Sequence, residues 1–529
     1  MHMSGYNIAT FNSRRSPVFA RNGVVATAHP LATAAGLRAL QDGGNAVDAA
    51  IAACAVLAVA EPHQMGLGGD LFALVHEKRG GRTYALNASG PAPAAANLAD
   101  YRARGWTAIP QHSPLAWTVP GMVGGWDKLA SRFGSIPLPR LLEPAIGYAK
   151  HGLAIPPVDA SYWEKHRDLL MADAGCRECL LVDGRLPRAG DVLVQPVLAR
   201  TLNAIAEGGS EAFYKGDPAA GIVRFSREAG GLIEAADLAA FSAEWQEPIG
   251  YDYRGHRILE CPPNGQGLAA LLALRNVADL PIGDVARGSA DCLHWLIEAT
   301  KHAMAEAGRI VCDPRHLPVD VEGMLAAAAP RIGKMAHLPG EKPAPRADTI
   351  YLATADREGN AVSLIASVYG DFGSGYLNPY GGFILQNRGS GFSLDPGHPN
   401  CLAPGKRPYH TIIPAMAMKD GAPAFVFGMT GGFLQPQGHL QLVTSLLDHG
   451  LDVQSAIDLP RFWWEGKRRV AVEDGFDEDV YRELARRGHE ILRKPGHQGF
   501  GGAYIIRFAG DGVIEAGAEP RQDGFAAGW

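Results

Sequence analysis

The chain contains no long apolar run. The longest, residues 49–60, has 12 residues and lies between Asp48 and Glu61, short of the roughly 20 that cross a bilayer. Positive charge is not in excess either: 49 Lys+Arg against 55 Asp+Glu give a formal charge of −6, which argues against nucleic acid or an anionic membrane as the main partner. Cysteine is sparse. Seven residues scattered from Cys54 to Cys401 are an odd number and form no disulfide framework in so long a chain. Cys176 and Cys179 are a close pair, but the second pair that a zinc ribbon needs is missing, so no metal is expected. No basic segment followed by an apolar stretch and a small-residue cleavage site opens the chain, which is therefore read as cytoplasmic. Gly66-Leu67-Gly68-Gly69-Asp70 lacks the spacing of a dinucleotide loop, and no phosphate-loop Lys-Ser/Thr is present.

Glycine and proline, in contrast, are abundant. The 65 glycines and 37 prolines exceed the usual combined share of roughly 12% without any collagen-like period, so tight turns are frequent. Hydrophobic residues at 47% and charged ones at 20% are those of an ordinary globular protein with a large core. Residues 30–40 predict a helix with Leu31, Ala34, Leu37 and Leu40 on one face, Pro30 at its start and Gly43-Gly44 at its stop. The 49–60 run is apolar all round and predicts a buried helix. From 137 to 345, helical patterns mix with Pro- and Gly-rich connections such as 261–267. After the polar loop 340–348 the pattern turns to strands. Residues 349–355 and 361–368 flank a turn and predict a hairpin; 414–418 and 422–428 around Lys419-Asp420-Gly421 predict another. Met429-Thr430-Gly431-Gly432 then leads into a helical pattern through Leu440, Val443, Leu446 and Leu447. Hairpins with helices around them imply a layered protein with a largely antiparallel sheet.

A threonine that opens a strand is by itself only a good β former. In this chain, Asp348-Thr349-Ile350-Tyr351 is followed by Asp356 and by Gly359-Asn360-Ala361-Val362-Ser363, and that arrangement resembles the nucleophile region of the γ-glutamyltranspeptidase family. Further stretches match in the same order: Gly43 to Ala50, Gly66-Leu67-Gly68-Gly69, Val119-Pro120-Gly121, Lys406-Arg407-Pro408, Gly431-Gly432, and Glu519-Pro520-Arg521 with Asp523-Gly524. The matches run from about residue 20 to the end of the chain. The resemblance implies an α+β fold, the four-layer αββα sandwich of N-terminal nucleophile hydrolases. It also implies a precursor that cuts itself between Asp348 and Thr349. Chains of 348 and 181 residues would result and stay associated as one intertwined unit; a homodimer of such pairs is left open. The chemistry is consistent with this. A threonine hydroxyl is a poor nucleophile, and the cut frees an α-amino group with an unperturbed pKa of about 7.7–8.0, so one residue supplies both nucleophile and base.

Carried over residue by residue, the resemblance gives Gly431 and Gly432 the role of backbone donors to an oxyanion, and Ser367 that of a hydroxyl bonded to Thr349, where the γ-glutamyl enzymes have a second threonine. Tyr369 replaces an asparagine that it cannot mimic. Ser89 stands where those enzymes hold the glutamyl α-carboxylate with arginine, and Gly391 where aspartate holds the α-amino group. His410 and Thr411 replace paired serines. Without both charged clamps, γ-glutamyl groups should bind poorly. Gly370-Asp371-Phe372-Gly373-Ser374-Gly375, Leu385-Gln386-Asn387-Arg388-Gly389 and Gln435-Pro436-Gln437 are more similar to the branch containing cephalosporin acylase-like proteins and oxamate amidohydrolase. Arg388 and Arg407 are the candidate carboxylate binders. The expected function is hydrolysis of an amide in a small carboxylate-bearing molecule through an acyl ester on Thr349, with no cofactor, nucleic acid or membrane involved. A true γ-glutamyltransferase and an inactive binding protein of the same fold are the alternatives.

Overall fold

A computed structural model of the protein describes residues 15–338, 348–495 and 499–529, Asp348 by its backbone alone. The expected loop at 340–348 therefore falls outside the described residues except for that backbone. Two seven-stranded sheets form the centre. Their strands in chain order are β1 (Val18–Ala20), β2 (Gly23–Thr27), β3 (Asp70–Glu77), β4 (Arg82–Ala88), β5 (Glu244–Gln246), β6 (Ile249–Tyr253), β7 (His256–Glu260), β8 (Asp348–Asp356), β9 (Ala361–Tyr369), β10 (Ala415–Lys419), β11 (Ala422–Met429), β12 (Ala503–Gly510), β13 (Val513–Gly517) and β14 (Phe525–Gly528). The first sheet runs β14-β2-β8-β9-β3-β4-β5 and the second β1-β13-β12-β11-β10-β7-β6. Every pairing in both is antiparallel. Strands from before residue 348 and strands from after it share both sheets.

The expected hairpins are present. β8 and β9 pair around residues 357–360, and β10 and β11 turn through Asp420 and Gly421, both at positive φ. Side chains alternate across the second sheet as a period of two requires. Met416, Val426 and Ile506 share a buried cluster with Ile365 of the first sheet, whereas Ala415, Phe425, Phe427 and Ile505 pack with the helices on the far side. The sheets meet closely at Gly428, where a Cβ would lie 2.2 Å from the Tyr351 ring.

Helices cover both outer faces. α1 (Pro30–Gln41) and α2 (Ala46–Ala60) lie on the first sheet, with Asn45 and Asp48 closing a capping box at the start of α2. All fifteen residues of α2 are buried, as an apolar surface without a polar stripe demands. On the second sheet lie α3 (Gly267–Val277), α4 (Ala290–Gly308) and α5 (Gln435–Leu447). Helix, sheet, sheet, helix is the expected four-layer order. All seven cysteines are free thiols, Cys176 and Cys179 among them. No helix among the described residues is long and apolar enough to cross a membrane.

Candidate active site

Thr349 is the second residue of β8, in the middle of the first sheet. Asp348 pairs with Tyr369 and Ile350 with Ala366, so β9 carries one more residue than β8 between these pairs. Such a bulge bends the strand and re-aims its side chains. Tyr369 completes it at φ 81, a conformation uncommon for a residue with a Cβ. The Thr349 hydroxyl is buried; it donates to Ser367 Oγ at 3.4 Å and accepts from Gln435 Nε2 at 3.4 Å. Ser367 Oγ accepts from the Tyr369 amide at 2.8 Å. Ser363, on the same face of β9, donates to Phe427 O of the other sheet, so this face looks into the space between the sheets.

Gly431 (φ 107) and Gly432 (φ 59) form the turn between β11 and α5. Two successive left-handed residues are open to glycine and strained for any side chain. Among the described residues neither amide N–H is taken by an acceptor. Gln266 Nε2 holds this turn by donating to Gly432 O at 2.8 Å and to Thr411 O at 2.5 Å.

Beside Thr349 lies a buried charged cluster. Asp70, paired through its backbone with Ser367, accepts on Oδ1 from Gly90 N, Gly121 N and Gln386 Nε2 at 2.9–3.1 Å, and on Oδ2 from His410 Nε2 at 3.0 Å. Burial still pushes its carboxyl up to about 7. His410 is held well below the usual histidine range by burial and by Arg388, so it is neutral. Arg388 is fully buried with its guanidinium 4.0 Å from the centre of the Tyr369 ring. Its Nη1 donates to Thr411 Oγ1 at 2.9 Å, whereas Nε and Nη2 have no hydrogen-bond partner among the described residues. A buried guanidinium with two free donors is costly unless an anion meets it. Tyr369, on which Arg388 stacks, also lines a cavity of about 490 Å³, with Gly391, Tyr409, Phe433, Met304 and Trp464 in its wall.

Of the residues expected from the sequence, Thr349, Ser367, Gly431 and Gly432 gather around the space between the sheets, Tyr369 and Gly391 line the cavity, and Arg388 packs against the Tyr369 ring. Three expected substrate contacts point elsewhere. Ser89 is buried in a side-chain cluster with Asn87 and Asn264, donating to Asn87 Oδ1 at 2.7 Å. Arg407 is paired with Glu244 at 2.9 Å and donates to Ser89 O and Ser242 O, so its charge is spent on structure. Both ring nitrogens of His410 are engaged, by Asp70 and by the Ile412 amide. Thr411 Oγ1 is the acceptor for Arg388 Nη1. Asp70 and Gln386 carry no role legible in the sequence, and Asn264 and Gln266 lie in what reads there as a connection. Side-chain amides in a Pro- and Gly-rich loop were the available signal. Gln435 stands out in the sequence only as part of a motif.

Among the described residues, two buried groups have metal-ligand composition, Glu61 with His63 and Asp159, and His294 with Glu298 and His489. In the second, the Lys301 ammonium lies 2.7 Å from Glu298 and 3.4 Å from His489, where a cation would sit.

Two facing antiparallel sheets between helical layers, with a hydroxyl residue near the start of a central strand, are the architecture of an N-terminal nucleophile hydrolase. The gamma-glutamyltranspeptidase family model matches residues 32–529, and the chain belongs to that family. It is 37% identical to the glutathione hydrolase-like YwrD proenzyme of Bacillus subtilis over 96% of this chain and 98% of that one. It is 34% identical to the oxamate amidohydrolase proenzyme of Klebsiella pneumoniae over 96% and 98%. A solved structure of cephalosporin acylase from Bacillus halodurans superposes with a TM-score of 0.92 at 43% identity, covering 98% of each chain. The protein is an enzyme of this hydrolase class.

Proposed function

We propose that the protein is a self-processing threonine amidohydrolase that cleaves an amide in a carboxylate-bearing substrate. The carrying observation is the Thr349 hydroxyl, placed by a bulge between Ser367 and Gln435 in the space faced by the Gly431-Gly432 turn. In maturation, Thr349 Oγ attacks the carbonyl carbon of Asp348, the C–N bond breaks so that the Thr349 nitrogen takes the hydroxyl proton and becomes a free amine while the acyl group stays on Oγ as an ester, and water hydrolyses that ester to restore the hydroxyl and release the Asp348 carboxyl. In turnover, the same oxygen attacks the substrate carbonyl and its proton passes to the amine. The developing oxyanion is met by the two glycine N–H groups. The proton then goes to the leaving nitrogen as the C–N bond breaks, and water, deprotonated by the amine, releases the acid. Arg388 supports the carboxylate preference, since its two unengaged donors suit a bidentate anion.

Denaturing electrophoresis of the full-length protein tests the reading. Fragments of 348 and 181 residues with a new N-terminal threonine are expected, and Thr349→Ala should stay one band. A mature enzyme screened against γ-glutamyl, glutaryl and short carboxy-amide compounds should favour hydrolysis of the latter two. Transfer of γ-glutamyl groups to glycylglycine as readily as hydrolysis would instead identify a transferase.

A further inference from the structure

The chemistry above makes no use of the cavity that Tyr369 lines. Among the described residues, none in its wall is Asp, Glu, Lys or Arg. Five are aromatic, Tyr369, Phe392, Tyr409, Phe433 and Trp464, and Met304 joins them. The Tyr409 and Phe433 rings stack with their centres 5.6 Å apart. Most polar groups in the wall are already engaged by the protein. Asn400 donates to Gly391 O at 2.7 Å and accepts from Tyr409 N at 2.9 Å. His398 accepts from Asn400 N at 3.0 Å and donates to Gly308 O at 3.2 Å. The Tyr409 hydroxyl donates to Gln266 Oε1 at 3.0 Å, and the Trp464 indole N–H to Lys467 O at 2.9 Å. What is left to meet a ligand is mainly ring surface.

That surface is built onto the elements that frame Thr349. The Tyr369 amide donates to Ser367 Oγ, the acceptor of the Thr349 hydroxyl, and Phe433 follows Gly432 in the turn before α5. Gln437, two residues after Gln435, ties the wall to that turn: its Nε2 donates to Phe433 O at 3.0 Å and to Trp464 O at 3.3 Å, and its Oε1 accepts from Trp464 N at 2.8 Å. One helical turn on, Gln441 pairs with Phe462 O and N in the same way, at 3.2 and 3.1 Å. The strand Phe462–Gly466 is thereby locked to α5, and the cavity is formed before any ligand enters. At about 490 Å³ it is roughly three times the size of an apolar cavity that takes benzene, and within the usual range of ligand pockets. A charged group placed in it would lose its hydration without gaining a partner. Arg388 is not in its wall, so a carboxylate on Arg388 and an occupant of the cavity are different parts of a substrate.

We propose that this cavity is a specificity pocket for an uncharged ring: the substrates are amides that combine a carboxylate with an aromatic group, and a short amide such as oxamate leaves the pocket empty. The inference rests on the amidohydrolase reading above and narrows its substrate class.

The test measures kcat/KM of the matured protein on amides built on one glutaryl chain: glutaramate, N-benzylglutaramate with a ring on the amine half, and 3-phenylglutaramate with a ring on the acyl half. Benzylamine and ammonia are leaving groups of similar basicity, so a gain reports binding and not reactivity. At least one ring-bearing compound should exceed glutaramate by about 10- to 100-fold, the worth of burying a phenyl group. A carboxylate added at the para position of that ring should remove the gain. Ala305 of α4 also lines the cavity. Ala305→Phe fills it from the side away from Thr349's contacts, and should lower kcat/KM for the ring-bearing compound about tenfold while leaving glutaramate within about twofold. The wild-type comparison decides the matter even if Ala305→Phe fails to fold. Equal handling of plain and ring-bearing amides, or a gain that survives the added carboxylate or the filled cavity, would overturn the inference and leave the amidohydrolase reading standing. Turnover of none of these amides would remove that reading, and the inference with it.

Discussion

Arg388 lies over Tyr369 with its guanidinium carbon 4.0 Å from the ring centre, so one face is packed while Nε and Nη2 remain to be met. Arg388→Met should lower kcat/KM for a carboxylate-bearing amide by about 10- to 100-fold, the worth of one to two charge-assisted hydrogen bonds. The same substitution should change turnover of a neutral amide of similar size far less. Arg388→Lys should recover only part, since an ammonium neither stacks nor forks. Steady-state kinetics on the two substrates decide it.

Gln435 spans Ile413 N, which donates to its Oε1 at 3.0 Å, and the Thr349 hydroxyl. Gln435→Ala should leave KM near its wild-type value and reduce kcat by about tenfold or more, because the lost contact positions the nucleophile without gripping substrate. A fall confined to KM would contradict that placement.

Asp70 gives a pH signature. Its folded pKa, raised to about 7, lies above the unfolded value of about 4, so between these values the native state binds more protons than the unfolded state, and stability falls as pH rises. The contribution is fully present below about 4, declines as pH rises between the two values and is gone above about 7. Asp70→Asn keeps an acceptor for the three donors and cannot titrate. The difference in Tm between wild type and variant should therefore shift against wild type from pH 5 to pH 8. A constant difference would show that Asp70 does not titrate there.

Restoring the charges expected at a γ-glutamyl clamp should fail at one of the two positions. A Cβ on Gly391 meets Tyr409 O at 3.0 Å, which a small shift can relieve. Ser89→Arg would place a guanidinium inside the Asn87 and Asn264 cluster without an anion, at a cost of about 3 kcal/mol or more. Thermal denaturation of the two single variants should separate them clearly, with only Ser89→Arg strongly destabilised.

Much of the scaffold was legible in the sequence because it rests on local rules. The apolar run of α2, both hairpins and the glycine turn before α5 follow from periodicity and turn chemistry alone. Thr349 stands out only through resemblance, as pattern alone makes it an ordinary strand residue. Side-chain commitments were not legible. Arg388 and Arg407 have the same chemistry, yet one faces Tyr369 with free donors and the other meets Glu244, a partner 163 residues away. Asp70 likewise acquires its role only when β3 pairs with β9 and brings it opposite Ser367. Contacts at such separation depend on topology, which no window of sequence contains.

The shared strands of the two sheets have a consequence for what it means for this protein to have subunits. A cut between residues 348 and 349 would leave the products joined along five ladders, β14–β2, β2–β8, β9–β3, β1–β13 and β10–β7. Neither product owns a complete sheet, so neither can leave without unfolding the other. Partnership would then be inherited from synthesis and not reached by encounter: two mature populations carrying different isotopes should not exchange halves on long incubation, and specific activity should not depend on dilution.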